Sequence, residues 1–136
     1  MTILTADAIL AADDIKSETV TVPEWGGDVI VRGLSGTDRD LYEASLTQRR
    51  LQPNGSTVTI PDLGNVRAKL VGRALVDEAG ARLFTEQQIN ALGAKSADVL
   101  DRLFEVAARL SGIANDSLEV AEGNSSAVPS DGSTSE

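Results

Sequence analysis

The sequence predicts a mainly α, α+β fold in which an N-terminal β-hairpin packs on a small bundle of about four helices, followed by a disordered C-terminal tail. Three observations predict it. Residues 17–33 alternate β-branched and polar side chains around a glycine pair. From residue 36 to 111 the apolar spacing switches to three and four. Beyond residue 113 large apolar residues nearly vanish while Ser, Gly and acids accumulate. A single folded domain over 1–113 is therefore expected, with the hairpin at about 17–33, helices at about 36–51, 62–76, 85–92 and 96–111, and a tail at 114–136.

Each element has a local reason. Thr5 is positioned to cap a short helix over Ala6–Asp13, with Ile9 and Leu10 as its apolar side. Ser17–Val22 and Asp28–Arg32 are strands, and Glu24-Trp25-Gly26-Gly27 supplies the positive φ angles of a tight connection. Trp25 at that tip is either a lid folded back on the hairpin or an exposed aromatic anchor for a partner. Ser35 or Thr37 caps the next helix, with Asp38 or Asp40 in a first turn whose dipole favours acids. That helix is read as running to about Leu51. Pro53-Asn54-Gly55-Ser56 is a turn, and Thr57–Ile60 is either a minor edge strand or loop. Asp62 is read as the cap of a helix carrying Leu63, Val66, Leu70, Ala74 and Leu75 on one side. Thr85 and Gln88 form a capping-box signature, with Phe84 placed to staple onto Ile89. Ser96 caps the last helix, whose broad apolar face runs from Val99 to Leu110.

The residue inventory argues against catalysis. The 136 residues contain no cysteine and no histidine, so thiolate, imidazole and soft metal-ligand chemistry are absent. Asp13/Asp14, Asp38/Asp40 and Asp77/Glu78 are carboxylate pairs, but each sits at a helix end or turn, where acids have structural reasons to be. Trp25-Gly26-Gly27 and Gly33-Leu34-Ser35-Gly36 lack the spacings of phosphate-binding loops. No enzyme activity, cofactor or metal site is expected. The N-terminus has no basic segment followed by a long apolar run, and no apolar stretch approaches the ~20 residues of a membrane span. A soluble intracellular protein is the expectation.

Charge restricts the partners. The net charge is −9, from 21 acids and 12 bases. Asp116, Glu119, Glu122, Asp131 and Glu136 lie in the tail, which has no base; the other 16 acids face all 12 bases in residues 1–113, a net of −4 there. Neither part matches a phosphate backbone or an anionic lipid surface, so no nucleic acid and no membrane is expected as partner. Arg39, Arg49, Arg50, Arg67, Lys69 and Arg73 concentrate bases mid-chain, either as solvated helix faces or as a patch for an acidic partner surface.

Taken in order, Ile3–Leu10, Val20-Thr21-Val22-Pro23-Glu24-Trp25-Gly26-Gly27, Val31–Asp40, Val76-Asp77-Glu78-Ala79-Gly80, Leu83-Phe84-Thr85 and Leu103–Gly112 form a series of motifs. This series resembles the tail assembly chaperones of siphophages, particularly those infecting actinobacteria. The resemblance covers roughly residues 1–113. It implies a factor in the host cell cytoplasm that binds the tape measure protein, promotes polymerisation of the major tail tube protein around it, and is absent from the mature virion. It also implies a longer product made by programmed frameshifting, with the present chain as the short form. A minor structural or head–tail connector protein of the virion is the alternative. For partner contact the candidate residues are Trp25, Leu41, Tyr42 and Leu46, with charge pairing through Arg39, Arg49 and Arg50; the alternative is that the apolar ones complete the core.

Overall fold

The computed structural model describes residues 2–113. The expected tail, 114–136, lies outside the described residues. Among the described residues there are five α-helices and five strands, so the fold is α+β rather than mainly α. The order is α1 (Ala6–Ala11), β1 (Ser17–Val22), a 3-10 turn (Pro23–Trp25), β2 (Gly27–Arg32), α2 (Gly36–Ala44), β3 (Thr47–Leu51), β4 (Thr57–Pro61), α3 (Val66–Ala74), β5 (Leu75–Val76), α4 (Glu86–Leu92) and α5 (Ala97–Leu110).

Strands β1 and β2 form the N-terminal hairpin, with Ser17 opposite Arg32 and Val22 opposite Gly27. Gly26, at φ 80°, makes the left-handed step that reverses the chain after the 3-10 turn. β5 adds to the other edge of β2, pairing Ile30 with Val76 and Val31 with Leu75, to give a three-stranded sheet in the order β1-β2-β5. This sheet packs on α5 and α3, and α3 also packs on α4 and α2. The core is aliphatic: Leu70, Leu75, Leu103, Val22, Val31, Val71 and Val99 are its largest fully buried side chains. Truncating such a leucine to alanine costs about 2–5 kcal/mol.

Two helix boundaries depart from the sequence reading. The helix expected over 36–51 ends at Ala44, and residues 47–51 are β3, paired antiparallel with β4. Hydroxyls end the helix: Ser45 Oγ donates to the Tyr42 carbonyl and Thr47 Oγ1 to the Ala44 carbonyl, offering the backbone an alternative to further helical bonds. Gln48-Arg49-Arg50-Leu51 has ample helix propensity, but the turn at Gly55 (φ 88°) returns a β-branched strand alongside it. Ladder bonds to that neighbour decide the conformation.

The helix expected over 62–76 likewise spans only Val66–Ala74. Asp62 does not cap it. Its Oδ1 accepts from the Gly64 amide at 3.2 Å, forming a local turn, and the cap is Asn65 in the left-handed region. At the other end Leu75 and Val76 leave the helix because pairing with β2 buries both on the sheet.

The remaining starts fall where the sequence places them. Thr5 Oγ1 accepts from the Ala8 amide, Thr85 and Gln88 form a reciprocal capping box, and Ser96 Oγ accepts from the Val99 amide.

The sheet and α5 meet at a tight point. A Cβ on Gly33 would lie 2.5 Å from the Leu110 carbonyl oxygen, a backbone atom that cannot rotate away. The next amide, of Leu34, donates to Ser111 Oγ at 2.9 Å. Gly33→Ala is expected to destabilise the protein by about 1–3 kcal/mol through overpacking. Gly36, with open space around it, should accept alanine with no loss. Urea unfolding followed by circular dichroism checks both.

Candidate partner-binding surface

The residues expected to meet a partner are not brought together. Tyr42 is only 2% exposed and belongs to the hydrophobic core. It has no surface to offer, because α2 lays that side on the body of the protein. Leu46 is half-buried against the same core, whereas Leu41, 50% exposed, points outward. Arg39 pairs with Glu43 one turn along at 3.1 Å. Arg49 and Arg50 are exposed on β3, adjacent residues that point to opposite faces of the ribbon. Arg49 Nη2 lies 3.4 Å from Thr57 Oγ1 across the pair. A continuous basic stripe would have required the longer helix.

The β3–β4 ribbon is clipped at its base. The Asp62 amide donates to the Leu46 carbonyl at 2.6 Å, and Lys69 Nζ, from α3, donates to the Ser45 carbonyl at 2.8 Å. The same ammonium stands 3.8 Å from the Asp62 carboxylate. Lys69, one of the mid-chain bases, thus joins the two ends of the ribbon rather than facing a partner.

Trp25 is different. It is half-buried at the hairpin tip and forms one wall of an open groove of about 270 Å³. Phe84 and the α4 residues Gln88, Ala91 and Leu92 complete it, with Lys95 at its rim. Trp25 and Phe84 both pack partly on the core, so each ring is fixed on one side and open on the other. No residue of α2 or β3 lines the groove. The α4 contribution escaped the sequence reading, which used Phe84 and Ile89 only as a helix staple. The available signal was a second stripe, Gln88, Ala91, Leu92 and Lys95, at intervals of three and four, beside the one that buries Ile89.

The turn carrying Trp25 is held from the far side. Glu24 accepts from Arg102 Nη2 of α5 at 2.6 Å, and Arg102 Nε lies 3.5 Å from Asp98. This hydrogen-bonded guanidinium keeps the Glu24 carboxyl below its ordinary range, and Glu24 in turn raises the affinity of Arg102 for its proton.

Among the described residues no group of three or more acids could hold a metal ion, and no helix is long and apolar enough to cross a membrane. The geometry supplies an aromatic-walled groove and ion pairs that position it, which is equipment for holding a side chain.

Comparison with known proteins agrees on one family. Residues 4–124 match the model of a family described as phage tail assembly chaperone. The fold is similar to that of the bacteriophage HK97 tail assembly chaperone, with a TM-score of 0.52 and 20% identity over 74% of this chain and 92% of that one. No curated protein matches the chain.

Because the Glu24 carboxyl is lowered in the folded state, its pairing stabilises the fold above the ordinary glutamate range and is lost as pH falls through the lowered value. Arg102→Ala is expected to raise the Glu24 titration toward 4.5. Carboxyl-detected NMR reads that shift, and emission from the chain's single tryptophan should move to the red as the turn loosens.

Proposed function

We propose, since this chain belongs to the phage tail assembly chaperone family, that it binds the tape measure protein in the host cell cytoplasm until the major tail tube protein polymerises around it. On this reading it leaves before the virion is complete, it works beside a longer frameshifted form of itself, and it has no catalytic step.

The observation that carries the reading is the groove between Trp25 and α4. A holdase must offer apolar contact area while its body stays soluble. Trp25 and Phe84 supply rigid aromatic area at little entropic cost, because their cores are already seated. Ala91 keeps the groove wall low, and Gln88 and Lys95 give it a polar rim. The matching client surface is a helix with apolar residues at i and i+3 or i+4 and an acid near Lys95. Leu41, Arg39, Arg49 and Arg50 stand as flanking contacts, made separately by α2 and by the β3–β4 ribbon. Tyr42 drops out, being buried.

Trp25→Ala is expected to weaken capture of co-expressed tape measure protein by about 30-fold or more, the scale of an aromatic hot spot of ~2 kcal/mol. Ala91→Glu, a change at an exposed position, should do the same without touching the core. Reversing Arg49 and Arg50 to glutamate should weaken capture by less than tenfold and steepen no salt dependence beyond that of a rim contact. Undiminished capture by Trp25→Ala and Ala91→Glu would remove the groove from the client site. Mass spectrometry of purified particles tests the release step, because a stoichiometric amount of this chain would mark a structural subunit instead.

A further inference from the structure

The N-terminal segment has no place on its own body. Ile3, Leu4, Ile9 and Leu10 are 88%, 62%, 56% and 84% exposed, and α1 buries none of its residues. Six residues of helix in water are far below the length at which propensity alone sustains a helix, so a partner surface is what would hold α1 in place. Four large aliphatic side chains on one short arm also form the kind of patch that soluble monomers seldom leave open. From these we infer that the arm docks into the Trp25–α4 groove of a second copy of this chain, closing in the unloaded protein the same apolar surface that the groove exposes.

Chemistry and reach both point to that occupant. The groove is apolar between Trp25, Phe84 and Leu92, and its rim carries Lys95. Asp7 lies one turn before Leu10 on the same side of α1. Neither Asp7 nor Lys95 has an ion-pair partner among the described residues. With Leu10 in the groove, Asp7 can face Lys95. The groove of the same chain is out of range of the helical arm. The arm leaves the body at Ser17, whereas Trp25 follows Val22 at the opposite end of β1. Residues 12–16 span at most about 17 Å, and the six residues of β1 cover about 20 Å. The contact is heterologous, arm to groove, so successive copies join in a ring or an open row.

This inference concerns the chain without client, and it stands or falls separately from the client reading. The chain has no cysteine, so single cysteines report one contact each. Leu10→Cys and Ala91→Cys proteins, purified separately and mixed under mild oxidation, are expected to form a disulfide-linked species of twice the monomer mass. Each protein alone, and a mixture of Leu10→Cys with Thr59→Cys on the β3–β4 ribbon, should form little. Light scattering should place the unmodified chain above monomer mass, and Leu10→Asp should return it to monomer with an unchanged melting temperature, since Leu10 touches no core. Trp25 emission should shift to the red in the same variant. A monomeric unmodified chain, a mixture that fails to cross-link, or a double variant that closes only within one chain would each overturn the inference. Client capture by the Leu10→Asp protein is then measured separately: its loss or retention tests the groove as client site and leaves the self-association result standing.

Discussion

Burial of α3 on nearly every side is the constraint on which the rest of the structure depends. Seven of its nine residues are buried, because α5, α4, α2 and the sheet all lean on it. A helix so enclosed cannot be amphipathic in the ordinary sense, and its small residues become contact points. At Gly72 a Cβ would come within 2.8 Å of the Ile89 side chain, so the glycine is what lets α4 approach. Enclosure also reaches its one buried cation. Arg73 is 7% exposed and lies against Glu86 at the start of α4, at 2.9 Å, which meets the requirement that a buried guanidinium be paired.

Surface properties follow from how that core is filled. The chain has four aromatic residues, and the core takes Tyr42 and Phe104 fully. Trp25 and Phe84 are left at its edge, each supported from beneath and uncovered above, and the groove is the space between them. The ion pairs then act as struts between elements distant in sequence: Glu24 with Arg102, Glu18 with Arg109, Arg67 with Asp101, and Lys69 with Asp62. Exposed pairs of this kind add little stability individually. Their value here is positional, since Glu24 fixes the turn beside Trp25 and Lys69 fixes the root of the β3–β4 ribbon.

Local sequence settled those features whose causes are local. The caps at Thr5, Thr85 and Ser96 are made by side chains within three residues of the amides they serve, so their pattern can be read directly. The hairpin was legible for the same reason: alternation and a glycine turn lie within one short stretch. Absence of thiol and imidazole chemistry needs no structure at all. Family membership, too, was legible from the order of motifs along residues 3–112, although none of those motifs carries chemistry.

Tertiary structure decided whatever depends on a neighbour remote in the chain. Residues 47–51 have a helical composition and become a strand because β4 is beside them; Leu75 and Val76 leave their helix because β2, over forty residues earlier, offers an edge. The candidate site divides along the same line. A single long helix would have aligned Arg39, Tyr42, Leu46 and Arg49, but ending that helix at Ala44 buries Tyr42 and sends the arginines onto a separate ribbon. Trp25 was visible in the sequence as an aromatic at a turn, yet its groove is completed by Phe84 and α4, some sixty residues away. Propensity acts over a few residues, whereas burial of apolar surface is satisfied only by the whole fold, and where they disagreed here burial prevailed.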